Sequence, residues 1–186
     1  MFDRIFGRQK KKAAREKVLM EQSMEERLRA LESVSENGLN LEDVSTKLKG
    51  DREVVLAAVK ENGYALQYAS AELRGDREIV MEAVKNDGEA LDFAFGGLIN
   101  DREIVMEAVK NWGESIIHIG PDLCEDRELA MTAVKQSGSA LEFVPYIFKS
   151  DREIVLAAVS NKPSAIKFAA PELQNDPEIL EIVRNA

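Results

Sequence analysis

The sequence predicts an all-α protein: an α-solenoid of tandem 25-residue αα-hairpin repeats with a helical N-terminal cap. The pentapeptide DREIV begins at Asp76, Asp101 and Asp151, and close variants keep the same 25-residue interval. Apolar residues recur at fixed places within each interval, and no insertion or deletion interrupts five consecutive units. A unit of this size cannot bury its own apolar face, so the units must stack on one another.

We number the positions of each unit from Asp51, which is position 1. Units 1 to 5 begin at residues 51, 76, 101, 126 and 151. The same register extends backwards to a degenerate unit 0 near residue 26 and forwards to a partial unit 6 at residue 176. The predicted organisation is therefore a basic segment and helical cap over residues 1–25, followed by a repeat array over residues 26–186.

The first half of each unit predicts a helix of about three turns. Asp at position 1 is a favoured N-cap residue, and Glu at position 3 lies near the positive end of the helix dipole. Apolar residues at positions 4, 5, 8 and 9 share one helical face. Position 8 is Ala in all five full units, which lets a neighbouring helix approach closely. Gly at position 13 is expected to end the helix in the left-handed conformation.

The second half of each unit predicts a shorter helix and one further turn. Positions 14–19 place a small residue at position 15, an aliphatic residue at 16 and an aromatic residue at 18. Positions 20–25 form one more helical turn that inserts the large apolar residue of position 23 into the core. Each unit is therefore expected to be an αα-hairpin.

The stretch DREVVLAAVKENGYALQYASAELRGDREIV resembles the short tandem repeat of the domain-of-unknown-function 4116 family (DUF4116). The shared pattern is a D-[RK]-E start, an A-A-V-K-x-N-G centre, an A-L-x-Y/F-A second helix and an E-L before the next Asp. The resemblance covers residues 51–183 well and residues 26–50 loosely. It implies a cytosolic helical repeat protein with no assigned activity.

Composition argues against several classes of function. The chain contains no glycine-rich phosphate loop, zinc-ligand spacing or calcium loop. Its single cysteine excludes an intrachain disulfide and a CxxC metal site, and favours a reducing, cytoplasmic location. The net charge is −9, and residues 1–18 alone carry seven bases and two acids, so the remainder is strongly acidic. Nucleic acid is thus an unfavourable partner for the array, and we expect neither cofactor nor metal.

The residues with potential chemistry all have structural interpretations. The Asp-Arg-Glu trio could be a row of charges that binds a ligand. We favour a structural interpretation, in which Asp caps the helix and Arg pairs with acids of the next unit, because an active site needs one set of different residues and not the same trio in every unit. The lysines at position 10 are interpreted as a solvated helix end. His118 replaces the Tyr or Phe of position 18 and is expected to pack as an aromatic. Cys124 is at variable position 24 and is expected to be exposed.

Unit 3 departs from its neighbours in two places. Trp112 stands at position 12 and Ile117 at position 17, where other units carry polar residues. Phe95 and Ile99 of unit 2 are also apolar where other units are partly polar. We expect Trp112 and Ile117 to be exposed. Two interpretations stay open: Trp112 packs on its own hairpin loop, or the four residues form a partner-binding patch, in which Trp is a frequent hot spot.

The N-terminal segment combines apolar residues with a basic run. Contact with an anionic membrane surface would use both features. The alternatives are that the segment contacts nucleic acid, or that it is a helix that contacts neither membrane nor nucleic acid. In the last case Met20, Met24, Leu28 and Leu31, which have helical spacing, would pack on the first unit. The candidate membrane-contact residues are Phe2, Ile5, Phe6, Arg8, Lys10, Lys11 and Lys12.

The function that the sequence favours is noncatalytic: a scaffold that binds an unidentified protein partner. Solenoids present an extended surface, and no set of residues here composes an active site. The alternative is a cytoplasmic adaptor at the membrane periphery, anchored by the basic N-terminal segment. The sequence leaves the oligomeric state open.

Overall fold

The computed structural model describes the backbone of residues 2–185 and the side chains of residues 11–185. Within these residues it is all-helical, without strands. An N-terminal helix runs from Phe2 to Glu36 and continues without a break into unit 0. Five long helices and the C-terminal helix follow at the predicted interval: Arg52–Glu61, Arg77–Asn86, Arg102–Asn111, Arg127–Gln136, Arg152–Asn161 and Pro177–Asn185.

Each of the five long helices begins as predicted, directly after the Asp of position 1. The carboxylate of Asp76, for example, accepts hydrogen bonds from the backbone N–H groups of Glu78 and Ile79 at 3.0 and 3.1 Å. These N–H groups have no partner within the helix, so the carboxylate satisfies donors that the first turn leaves free.

The second helix of each unit is a 3₁₀ helix rather than an α-helix, so the unit is an α–3₁₀ hairpin. Six residues at most are available between position 13 and the next turn, and short helices of this length commonly adopt the tighter 3₁₀ form. The bounds of these helices in units 0 to 5 are Gly38–Glu42, Gly63–Tyr68, Gly88–Phe93, Gly113–His118, Gly138–Glu142 and Pro163–Phe168.

A single helical turn closes each unit before the next Asp, as predicted. It is α-helical in units 1, 4 and 5 and 3₁₀ in units 0, 2 and 3. The α-helical turns are Ala71–Arg74, Tyr146–Lys149 and Pro171–Gln174. The 3₁₀ turns are Leu48–Gly50, Leu98–Asn100 and Pro121–Leu123.

The units stack in two layers, with each long helix beside the next long helix and each 3₁₀ helix beside the next 3₁₀ helix. The core lies between the layers. Positions 4, 5, 8, 9 and 15 are buried in all five full units. The array is therefore an α-solenoid whose apolar core is continuous from unit to unit.

The glycine of position 13 is required by packing and not by a left-handed turn, which corrects the expectation from the sequence. Among the described residues only Gly96 and Gly97 have positive φ. A Cβ atom at Gly88 would collide with the carbonyl oxygen of Ala108 and lie 2.9 Å from the Cβ of Trp112. The glycine thus lets the start of one 3₁₀ helix touch the end of the next long helix.

A side-chain amide at position 11 completes this junction. The Asn111 side chain donates to the Lys85 carbonyl at 3.0 Å and accepts from the Gly88 N–H at 2.9 Å. Asn86 and Asn161 make the same pair of bonds to the unit before them, and Gln136 accepts from the Gly113 N–H but donates to the carbonyl of Asn111 instead of Lys110. Four junctions are therefore closed by one amide each, which caps the preceding helix and fixes the register of the stack.

The end of the N-terminal helix caps the array, but not through the residues expected. Ala30 and Val34 are buried against unit 1, whereas Met20, Met24 and Leu28 are exposed and Leu31 is only half-buried. The prediction that this apolar row packs on the first unit is therefore wrong for three of its four members. The buried residues occupy positions 5 and 9 of unit 0, the two positions that continue the stacking pattern.

Candidate functional site

The repeated Asp-Arg-Glu trio links neighbouring units, which confirms the structural interpretation. Arg77 of unit 2 donates from Nε to the Asp101 carboxylate of unit 3 at 2.7 Å, and its Nη2 reaches Glu103. The same arrangement begins with Arg27 on the N-terminal helix and ends with Arg152. In unit 6, Pro177 takes the place of the arginine. The trio forms six equivalent links, so it does not form one distinctive site.

These links change the acidity of the capping carboxyls. The Arg77 guanidinium, through its hydrogen bond, holds the pKa of Asp101 below the ordinary aspartate value, although partial burial opposes the shift. Arg127 has the same effect on the pKa of Asp151. The carboxylates therefore stay charged while they cap the helices, which is the state that accepts hydrogen bonds from N–H groups.

The other residues with reactive or charged side chains are the lysines of position 10, His118 and Cys124. The lysines of position 10, Lys60, Lys85, Lys110 and Lys135, are exposed, as predicted. His118 is half-buried, and its Nδ1 lies 2.9 Å from an oxygen of Asp92 in unit 2. Cys124 is half-buried rather than exposed, and its Sγ lies 3.6 Å from the carbonyl oxygen of Gly120. No cluster of metal-ligating side chains occurs among the residues that the structure describes.

We call positions 17–24 of units 1 to 5 the loop edge, because they form one continuous border of the array. The N–H of position 20 donates to the position-24 carbonyl of the previous unit, as from Phe95 to Arg74 at 2.9 Å and from Gly120 to Ile99 at 2.7 Å. Lys149 at position 24 reaches back to the carbonyl of Glu142 at position 17. The first contact places position 20 of each such unit beside position 24 of the unit before it, and the second places position 24 beside position 17 within unit 4.

Two of the four predicted partner-binding residues are exposed on the loop edge. Phe95 is 58% exposed and Ile117 is 53% exposed, in adjacent units. The guanidinium of Arg74 lies 5.9 Å from the centre of the Phe95 ring. Both side chains are thus large, apolar and open to a partner.

The other two predicted residues are half-buried, so the expectation of an exposed Trp112 is wrong. Trp112 lies at the junction between the long helix and the 3₁₀ helix of unit 3, where its backbone and Cβ lie against Gly88. Ile99 packs against the core, and its carbonyl accepts the Gly120 N–H. Trp112 also stands at position 12, outside the loop edge.

The loop edge contains two exposed apolar residues that the sequence reasoning missed. Tyr146 and Ile147 of unit 4 are 62% and 63% exposed. They occupy positions 21 and 22, where other units have Ala, Gly or Pro and then Glu, Gly or Asp. The comparison of units that selected Ile117 would therefore have found them too.

A proline interrupts the hydrogen bonds of the loop edge beside these residues. Four junctions carry the bond between positions 20 and 24, but position 20 of unit 4 is Pro145, which has no N–H. The carbonyl of Cys124 therefore lacks the partner that its equivalents have. This free acceptor lies between the units that expose Ile117 and Tyr146.

Most of the predicted membrane-contact residues lie outside the described side chains. This holds for Phe2, Ile5, Phe6, Arg8 and Lys10, whereas Lys11 and Lys12 are described and exposed. Every side chain from residue 11 to residue 22 is exposed, so this part of the N-terminal helix extends free of the array. Among the described residues, no helix combines the length and apolar character needed to cross a bilayer.

The geometry defines the class of protein: a stacked array of helical hairpins whose loop edge exposes large apolar side chains in some units and not in others. The family described as "Domain of unknown function (DUF4116)" matches residues 27–74, 52–99, 76–124, 101–149, 126–174 and 151–183. The chain therefore belongs to the DUF4116 family, as its repeat pattern indicated. No curated protein and no solved structure matches the chain.

Proposed function

We propose that the protein is a noncatalytic scaffold that binds a partner protein along the loop edge of units 2 to 4. The observation that carries the proposal is the distribution of exposed apolar side chains. Among the described residues of units 1 to 6, four large apolar side chains are exposed, and all lie on this edge: Phe95, Ile117, Tyr146 and Ile147. Exposed apolar residues that cluster mark interaction sites more often than scattered ones.

The charges of the edge indicate the chemistry of the partner. Asp92, Asp122 and Glu142 are exposed on the same border of units 2 to 4. A partner segment that places large apolar side chains between Lys or Arg residues would match both the apolar and the acidic groups. Electrostatic complementarity of this kind favours a specific partner and speeds association.

The backbone of the edge offers one further contact. The Cys124 carbonyl, unused at the Pro145 junction, is an acceptor for an N–H group of the partner. It belongs to the junction of units 3 and 4, the two units that expose Ile117, Tyr146 and Ile147, so a segment bound along this edge could use both the carbonyl and the apolar side chains. Backbone hydrogen bonds combined with side-chain pockets are a common mode of peptide recognition.

Site-specific photo-crosslinking tests the proposal. A photoreactive phenylalanine analogue replaces Ile117 in the full chain, and a matched control carries it at Lys167, the same position of unit 5. We expect the Ile117 probe, but not the Lys167 probe, to crosslink one discrete protein through a segment rich in Lys or Arg. Equal crosslinking at both positions would contradict a binding edge confined to units 2 to 4.

A second candidate function is contact with an anionic membrane surface through residues 1–18. It is supported by the exposure of Lys11, Lys12, Arg15 and Lys17 on a helix that extends beyond the array. The charges would be attracted to anionic lipids, and a single cluster gives weak, reversible binding. Flotation with phosphatidylserine vesicles tests it, because binding that survives deletion of residues 1–18 would exclude this segment as the anchor.

A further inference from the structure

One junction of the loop edge lacks a hydrogen bond that four others have. At those four, the N–H of position 20 donates to the position-24 carbonyl of the unit before, at 2.7 to 2.9 Å: Ser70 to Lys49, Phe95 to Arg74, Gly120 to Ile99 and Ala170 to Lys149. At the remaining junction Pro145 faces Cys124 and has no N–H to donate. Within the described part of the chain, the Cys124 carbonyl is therefore the acceptor of this row that receives no N–H from the next unit.

The path of the backbone does not cause the missing bond. Pro145 has φ −55° and ψ 155°, close to Ser70 at −59° and 154° and to Ala170 at −60° and 147°. Another residue at position 145 would thus point its N–H at Cys124, as its equivalents do. The proline alone keeps this acceptor open, in the junction between two units that expose large apolar side chains.

The charge of the loop edge changes in the same units. Positions 17–24 of units 2 to 4 hold three acids, Asp92, Asp122 and Glu142, against one lysine, Lys149, and the histidine His118. The same positions of units 1 and 5 hold one acid and one base each. The excess of acid and the open acceptor therefore share one stretch of the edge. Both favour a positively charged segment with a free backbone N–H.

The need for a free N–H distinguishes an extended segment from a helix. The interior N–H groups of an α-helix are bonded within the helix, whereas a polyproline II segment has no internal hydrogen bonds. Polyproline II advances about 3.1 Å per residue, so three residues span about 9 Å. That span matches the distance of about 8–10 Å between packed helices. Same-side residues of a β-strand recur about every 7 Å and do not match it.

We propose that the partner binds as an extended segment in the polyproline II conformation, with three of its residues for each of units 2 to 4. Every third residue is large and apolar and packs beside Phe95, Ile117 or Tyr146, and Lys or Arg residues lie between. One N–H of the segment donates to the Cys124 carbonyl. The proposal rests on the proposed partner-binding edge and adds the conformation and the periodicity of the bound segment.

Synthetic peptides test the periodicity on the full chain. A fluorescent nine-residue peptide repeats Leu-Pro-Arg, and a control of the same composition has leucine at every second position. A second control is a helical peptide with leucine at every seventh residue and Arg between. We expect fluorescence anisotropy to give the repeat peptide a Kd at least tenfold lower than either control. Binding of the repeat peptide no tighter than that of a control would overturn the extended register.

Two variants separate this outcome from failure of the edge itself. Ile117→Gln should weaken binding of the repeat peptide, whereas Met24→Gln, an exposed apolar residue on the N-terminal helix, should not. If Ile117→Gln weakens all three peptides equally, the edge stands and the extended register is wrong. If it weakens none, the proposed edge is wrong as well.

Pro145→Ala tests the hydrogen bond. The N–H introduced at position 145 should bond to Cys124 and be protected from hydrogen exchange like that of Gly120. The acceptor is then occupied, so we expect the Kd of the repeat peptide to rise about three- to tenfold, the usual contribution of one hydrogen bond. Pro171→Ala is the control, because the bond between positions 20 and 24 is intact in unit 5. Unchanged affinity, or an introduced amide that exchanges freely, would overturn the contact.

A change in the peptide tests the same contact without altering the protein. Methylation of the backbone nitrogens of its central leucine and arginine removes the N–H groups there. This peptide should bind the unchanged chain about three- to tenfold more weakly than the repeat peptide. Against Pro145→Ala the two peptides should bind alike, and an equal loss against both chains would contradict donation to Cys124.

Discussion

The junction between units and the loop edge are built from the same 25-residue repeat, yet they follow opposite rules. At the junction, positions 8, 11 and 13 keep almost the same residue type in each full unit, and the glycine of position 13 lies against the position-8 carbonyl and the position-11 amide of the next unit, as Gly88 does with Ala108 and Asn111. At the loop edge, positions 17 and 20–22 change from unit to unit. Positions that stay constant therefore make the contacts between units, and positions that vary form the surface of individual units.

A methyl group added at a closely packed junction should lower the free energy of unfolding more than any other change considered below. Gly88→Ala places a methyl group against the Ala108 carbonyl oxygen, a backbone atom that cannot move alone. We expect the free energy of unfolding to fall by about 3 kcal/mol or more, as for severe overpacking. Gly50→Ala is the control, because a Cβ there meets its nearest neighbour at 3.8 Å. Equal stability of the two variants in urea titration would show that the junction is not closely packed.

Removal of a junction amide should have a smaller effect. Asn111→Ala leaves the Gly88 N–H and the Lys85 carbonyl without their partner. The expected loss is about 1–2 kcal/mol, the usual result when partly buried backbone groups lose a hydrogen bond. Glu61→Ala is a matched control at position 11 of unit 1, where no such pair of bonds is formed. Urea titration of both variants should separate them; a change of equal size in each would contradict the role of the amide.

Acid should weaken the five junctions whose capping Asp has a lowered pKa. The pKa values of Asp51, Asp101, Asp126, Asp151 and Asp176 are lowered in the folded chain. The unfolded chain therefore binds protons first, so stability is complete above the unfolded aspartate pKa of about 3.9 and falls as the pH drops below about 4. Thermal unfolding between pH 3 and pH 6 measures this loss. Arg77→Gln should make it less steep, and an unchanged pH profile would contradict the contribution of that link.

Much of the fold was predictable because the same local signals recur at the same positions of every unit. Asp at position 1 and the apolar positions 4, 5, 8 and 9 gave the helix starts and the core, since capping and helical spacing are local properties. The role of Gly88 was not predictable, because its constraint comes from Ala108, twenty residues further along. The 3₁₀ form of the second helix was missed for a related reason: its sequence, GEALDF in unit 2, is equally compatible with an α-helical turn.

The candidate site was only partly predictable. Comparison of equivalent positions predicted correctly that Ile117 is exposed and included Phe95 in the candidate patch, because positions 17 and 20 lie on the border of every unit. The same comparison failed for Trp112, since position 12 carries polar residues elsewhere although its backbone lies in the junction. A polar residue at a position thus shows only that its side-chain tip reaches water, and not that the position is free of contacts.

The most direct test of the account measures stability and binding together on one loop-edge variant. Phe95→Gln, Tyr146→Gln and Ile147→Gln remove exposed side chains that leave no cavity, so the free energy of unfolding should stay within about 0.5 kcal/mol of the original. Photo-crosslinking from position 117 in the same variant should lose the partner. Loss of stability comparable to Gly88→Ala, or unchanged crosslinking in a stable variant, would contradict the claim that variable edge residues bind while constant junction residues stack.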